Sequence, residues 1–232
     1  MVQLSSLSQV QTEIPLTAVI DSALCVGAGG STGPWADKPI VRLADGRLLI
    51  PGSQLKGRLR HECEKLARAL GWPVCESPVA ETMCPQIGRD NSEFQRTAGE
   101  PQHHCLICQI FGNPALPSRL IVDDLICLEN SKDLPEVLRP GVTINRRRRT
   151  AEDQKLYFLE TSPVNVQLPF VGHLYFQPDC PPYARALVLA ALHHIPALGG
   201  SKSAGLGWLT WQIGDIDIDQ SAWESLKVGN AP

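Results

Sequence analysis

Cys105 and Cys108 are separated by two residues in Cys105-Leu106-Ile107-Cys108, and Cys75 and Cys84 lie upstream with eight residues between them. A two-residue knuckle lets both sulfurs reach one ion, and four thiolates can close a tetrahedral structural zinc site. His103 or His104 could replace one thiolate, and redox-active or incidental thiols would account for the same residues. Residues 74–118 carry five prolines and no clear periodicity, so they read as an insertion without a core of its own. Such a segment needs a staple, and zinc would supply one. Cys25, Cys63, Cys127 and Cys180 fall in expected strands, a helix and a proline-rich turn, and read as core or incidental thiols.

A second chemistry is phosphate binding. Residues 53–70 carry Lys56, Arg58 and Arg60 in their first turns, with no acid before Glu62. Helix N-termini favour anions, so stacked cations there call for an anionic partner such as a phosphate backbone. A solvated basic face is the bland alternative. The stretch Leu198–Gly207 holds four glycines in ten residues, which lets a backbone approach a ligand closely, and Ser201, Lys202 and Ser203 add phosphate-binding groups. A flexible connection would use the same glycines. Arg146, Arg147, Arg148 and Arg149 form a run that by itself reads as solvated. His173, His193 and His194 have no visible partner, and the last two suit a helix C-terminus.

These groups sit on a chain of 232 residues with 43% hydrophobic content, enough for one core domain with insertions. The net charge of −3 does not argue for nucleic acid, but its distribution is uneven. Residues 38–73 hold eight basic residues against three acids, while the tail holds Asp215, Asp217, Asp219 and Glu224 against Lys227. The N-terminus has no secretory pattern and no apolar run is long enough for a membrane span, so an intracellular, cytoplasmic protein is expected.

Residues 14–26 read as a strand, 39–50 as a hairpin turning at Asp45-Gly46, and 53–70 as a helix capped by Ser53. Leu55, Leu59, Cys63, Leu66 and Leu70 form its apolar stripe. Residues 119–128 read as one strand that includes Asp123 and Asp124 in structural roles. Val166, Leu168, Phe170, Gly172, Leu174 and Phe176 alternate as a half-buried strand. A helix over 183–195 and a last strand, WLTWQI, follow. The order predicts an α+β, ferredoxin-like (RRM-like) domain over 1–232, with a cysteine-containing insertion at 74–118 and a polar, arginine-rich excursion at 131–163.

Four blocks sharpen the reading. LLIPGSQLKGRLRHECEKLA, FGNPALPSRLIVDD, GVTINRRRRTAEDQKLYFLETSPVNVQLPF and GGSKSAGLGWL occur in this order. Together they resemble RAMP-superfamily proteins of type III CRISPR complexes, and most closely the backbone subunit that polymerises along guide RNA. The resemblance implies that Ser53, Lys56, Arg58 and Arg60, with Gly199, Gly200, Lys202 and Gly205, hold the guide backbone. It implies that the excursion, with Arg146 to Arg149, is a thumb-like hairpin that wedges between guide and target. It also places Asp37, in GPWADKPIVR, where cleaving subunits carry a catalytic aspartate, whereas Asp45 is better explained by its turn. A loop carboxylate there could hold Mg²⁺ or another divalent cation beside the scissile phosphate. The implied function is a metal-dependent endoribonuclease subunit acting in antiviral defense, with guide RNA, complementary target RNA and other complex subunits as partners. Some proteins of this kind carry structural zinc in the same insertion. A non-catalytic guide-binding scaffold is the first alternative. A metal-independent guide-precursor nuclease using His61 is the second.

Overall fold

In the computed structural model, the structure describes residues 12–27, 36–79, 81–85, 104–130, 134–164, 166–214 and Glu224. His103 and the acidic tail, apart from Glu224, lie outside them. Eight strands and three α-helices are described: β1 (Thr12–Ile20), β2 (Leu49–Ile50), α1 (Gly52–Ala69), α2 (Leu106–Phe111), β3 (Leu120–Val122), β4 (Leu125–Cys127), β5 (Val137–Asn145), β6 (Thr150–Thr161), β7 (Leu168–Phe176), α3 (Ala184–His193) and β8 (Leu209–Ile213).

The main sheet is antiparallel, in the order β2-β4-β7-β1-β8, with β3 also on β7. β1 pairs with β7 from Thr12↔Phe176 to Ile20↔Leu168, and with β8 from Leu16↔Ile213 to Ile20↔Leu209. Alternation decides which side is buried. Ile14, Leu16, Ala18 and Ile20 of β1 and Leu168, Phe170, Leu174 and Phe176 of β7 all point into one core. α1 contributes Leu55, Leu59, Cys63 and Ala67 to that core, and α3 contributes Leu187, Val188, Ala191 and Leu192. α1 and α3 pack against each other and cover the sheet on this side.

Several elements differ from the sequence reading. The strand expected over 14–26 ends at Ile20. Beyond it, Leu24 is held by Ser162, with Leu24 N–H donating to Ser162 Oγ (2.8 Å) and Ser162 N–H donating to Leu24 O (2.9 Å). The hairpin over 39–50 is a narrow one, joined by the Arg42↔Leu48 bridge around Asp45-Gly46, and Leu49–Ile50 alone enters the main sheet. Val166 is 42% exposed, outside the alternating set.

The strand expected over 119–128 breaks at Asp123-Asp124 for a reason visible in α1. The N-cap position is Pro51, which offers no side-chain hydrogen bond, and Ser53 lies within the first turn rather than capping it. Instead Asp124 Oδ1 accepts from Gly52 N–H (2.7 Å), placing a carboxylate on the helix N-terminus from another element. A Cβ on Gly52 would lie 2.4 Å from Val122 O, so the helix start and the break fit only with glycine there. The insertion contributes to the main core: α2 is buried throughout, and Ile107 and Ile110 join it.

Beside this body, β5 and β6 form a separate two-stranded antiparallel hairpin, with a register shift between Val142 and Ile144. Its turn is Arg146 to Arg149, with Asn145 Oδ1 accepting from the N–H groups of Arg147 and Arg148 (3.1 Å each).

Candidate functional site

Cys75, Cys84, Cys105 and Cys108 are all buried, and their sulfurs lie within 4.8 Å of one another. Local structure positions them. Cys105 caps α2 and accepts from Cys108 N–H (3.5 Å), and Cys84 Sγ accepts from Cys105 N–H (3.2 Å). Cys75 Sγ and Cys108 Sγ are 3.7 Å apart. A tetrahedral ion with bonds of about 2.3 Å has sulfur–sulfur edges of about 3.8 Å, so the spacing suits a metal such as zinc. The contact with Cys105 holds Cys75 well below the ordinary thiol range, and Cys108 likewise lowers Cys105. Cys84 and Cys108 are pushed up by Cys105. Four sulfurs sharing protons in this way form a donor set that a cation would complete by displacing them. His104 is turned to Asn113, whose Nδ2 lies 2.8 Å from its Nδ1, and is not part of the cluster.

The second assembly lies where the hairpin base meets the body. The segment from Asp37 to Arg42 runs along the end of β6. Asp37 and Lys38 N–H donate to Phe158 O (3.1 and 3.3 Å), and Glu160 N–H donates to Lys38 O (3.1 Å). Buried Glu160 then closes the joint: Oε2 accepts from Ile40 N–H (3.0 Å) and Oε1 pairs with Arg42 at 2.6 Å. Next to this joint opens a cleft of about 310 Å³, lined by Cys25, Gly27, Lys38, Gln54, Tyr157, Leu159, Gly200 and Ser201. It therefore unites the start of α1, the glycine-rich loop, the neighbour of Asp37 and the hairpin base.

The glycine loop reaches the cleft through two specific features. Gly199 has φ +88, and a Cβ on it would lie 2.5 Å from Cys25 O. Gly200 N–H donates to that same carbonyl (2.7 Å). This close approach brings Gly200 and Ser201 to the rim.

The RAMP superfamily profile matches residues 17–210. The chain belongs to the RAMP superfamily. A curated relative, "CRISPR system Cms endoribonuclease Csm3" of Methanocaldococcus jannaschii, is 30% identical over 181 residues, covering 74% of this chain. The match spans 65% of that relative's length, just under two thirds.

Within this RAMP-superfamily chain the residues singled out from sequence fall into three places. Asp37 is exposed and next to the cleft, with Oδ2 accepting from Phe158 N–H (2.8 Å). Gly200 lines the cleft and Gly199 sits next to it against Cys25 O, while Lys202 is exposed beyond it and donates to Gly199 O (3.1 Å); Gly205 follows with φ +85. Ser53 is exposed on the first turn of α1.

The α1 cations turn elsewhere. Lys56 Nζ donates to Ser118 Oγ (2.7 Å), and burial followed by repulsion from Arg60 lowers its pKa. Arg58 pairs with Glu62 (2.8 Å). Arg60 pairs with Glu64 (3.0 Å), donates to Gly112 O (3.0 Å) and reaches Cys108 Sγ (3.5 Å), tying the helix to the thiol cluster. The anion that the sequence argument sought for these cations is thus supplied in part by acids one turn along the same helix. Arg146 to Arg149 lie exposed at the hairpin tip.

Several groups near these sites have partners or positions that residue order does not reveal. His173 does have partners: Glu13 at 3.4 Å and Asp123 at 3.6 Å, brought together by strand register. Glu160 was visible only as the end of a motif. Gln54 carried no signal at all. His61 is exposed on α1, and His193 and His194 are exposed at the end of α3.

Proposed function

We propose that this chain is a guide-RNA-binding backbone subunit of a type III CRISPR effector complex that cuts complementary target RNA, with Asp37 as its catalytic carboxylate. The single observation that carries this is the cleft. It gathers the glycine loop, the start of α1, Lys38 beside Asp37 and the base of the β5–β6 hairpin. The strand order supports a ferredoxin-like plan. β1 and β3 both run antiparallel to β7 with α1 between them in sequence, and β7 and β8 flank β1 with α3 between them. The curated relative is named as an endoribonuclease, which points the same way.

In this reading a single domain carries two insertions, the cysteine segment at 74–118 and the thumb at 131–163. Lys38, Gly200 and Ser201, with Ser53 and Lys202 on the approaches, hold the guide's sugar–phosphate backbone, and base pairing reads the target. Arg146 to Arg149 at the thumb tip meet the paired strands, and Lys56, Arg58 and Arg60 contribute positive potential along α1. The four thiolates hold structural zinc. A divalent cation bound at Asp37 with phosphate oxygens would supply Lewis-acid polarisation of the scissile phosphoryl group. The protein's own part is to fix that carboxylate: the Phe158 N–H engages Oδ2, leaving Oδ1 for the ligand. No helix among the described residues is long and apolar enough to cross a membrane, which is compatible with a cytoplasmic complex.

A scaffold without cleavage is the second reading. It is favoured by the absence, among the described residues, of a cluster of metal-ligating side chains around Asp37. The experiment is target-RNA cleavage by the reconstituted complex with Mg²⁺, comparing wild type with Asp37→Asn. Loss of cutting with target binding retained assigns the chemistry to this chain, whereas unchanged cutting leaves it a scaffold.

A further inference from the structure

Gln54 borders the cleft from the first turn of α1. Its Oε1 is closed off from solvent and accepts no hydrogen bond from any described residue. A buried acceptor without a donor is unfavourable. The terminal amide torsion is soft, so a donor entering the cleft can draw the group toward it.

The other walls narrow what that donor is. Lys38 brings a cation, Tyr157 a ring that is 39% exposed, and Gly200 a backbone without a side chain. These suit a sugar–phosphate chain. An ionised phosphodiester has no proton to donate, so it cannot satisfy Oε1. Base edges do donate, but their pattern changes with sequence, and a guide-binding site must accept many sequences. The ribose 2′-hydroxyl is present at every RNA nucleotide and both donates and accepts. It would therefore satisfy the amide in either orientation.

We propose that Gln54 is a specificity-determining residue that reads a ribose 2′-hydroxyl in this cleft and so selects RNA over DNA. This rests on the guide-binding reading above. The test is fluorescence anisotropy of the purified full chain with one mixed-sequence single strand made as RNA, as 2′-fluoro RNA and as DNA. The 2′-fluoro strand keeps the RNA-like sugar pucker but lacks the O–H donor.

Wild type is expected to bind RNA about tenfold more tightly than the 2′-fluoro strand, the worth of one hydrogen bond. Gln54→Met, close in size but without the amide, is expected to bring that ratio to about one. Equal binding of RNA and 2′-fluoro RNA by wild type overturns the inference without using any variant. So does a ratio that survives Gln54→Met. A wild-type chain that binds none of the strands sinks the guide-binding reading and this inference with it.

Discussion

Asp37 and Phe158 hydrogen-bond in both directions. Asp37 N–H donates to Phe158 O (3.1 Å), and Phe158 N–H donates to Asp37 Oδ2 (2.8 Å). The candidate catalytic carboxylate is thus held by the strand that forms the hairpin base. Movement of β6 and placement of Asp37 are mechanically linked.

This link separates two variants that simple loss of charge would not. Asp37→Asn keeps an acceptor for Phe158 N–H, whereas Asp37→Ala removes it. Both are expected to abolish Mg²⁺-dependent target cleavage. Only Asp37→Ala should speed hydrogen exchange at the Phe158 amide, by about tenfold for one lost hydrogen bond. Equal exchange in both variants would mean that the carboxylate does not secure the hairpin.

Purified protein is expected to contain about one equivalent of zinc, read by elemental analysis. Cys105→Ser removes a thiolate ligand while its hydroxyl can still cap α2. It is expected to release the metal and lower stability by roughly 3 kcal/mol, or about 10 °C in Tm. Chelation of wild type should move the melt in the same direction. A metal-free preparation with an unchanged melt would leave the four thiols as core residues.

Glu160 is held by Arg42 and by Ile40 N–H, with its side chain 10% exposed and that of Arg42 26%. Arg42→Met leaves a mostly buried carboxylate short of its cation, at a cost of about 2 kcal/mol, less than for a fully buried pair. Adding Glu160→Gln should recover part of that loss, because the stranded charge goes with it. Urea midpoints of the two single variants and the double variant measure the coupling, and simple additivity would deny it.

Two glycines with nearly the same φ should respond differently to alanine. Gly199 (φ +88) has Cys25 O 2.5 Å from the position of a Cβ, whereas Gly205 (φ +85) has open space. Gly205→Ala is expected to cost about 1 kcal/mol, the left-handed penalty alone. Gly199→Ala adds a backbone clash and should cost roughly 3 kcal/mol, with weaker RNA binding as the rim is displaced. Thermal melts of the two variants make the comparison.

Elements with a local signal are readable from residue order alone. The stripe Leu55, Leu59 and Cys63 lies fully buried along α1, and Leu168, Phe170, Leu174 and Phe176 alternate into the core, because near neighbours set helical and strand period. The sequence also holds the thiols, the glycine loop and the basic runs, all readable as residue types. Which of them meet is set by long-range packing. Ile40 reaches Glu160 across 120 positions, Gly52 takes its cap from Asp124 across 72, and Cys75 meets Cys108 across 33. α2 enters the core despite lacking a period of its own, and Lys56 and Arg60 turn toward Ser118 and Cys108 rather than into the cleft. Contacts of this kind follow from packing and from satisfying buried polar groups over the whole fold, which no local window of sequence encodes.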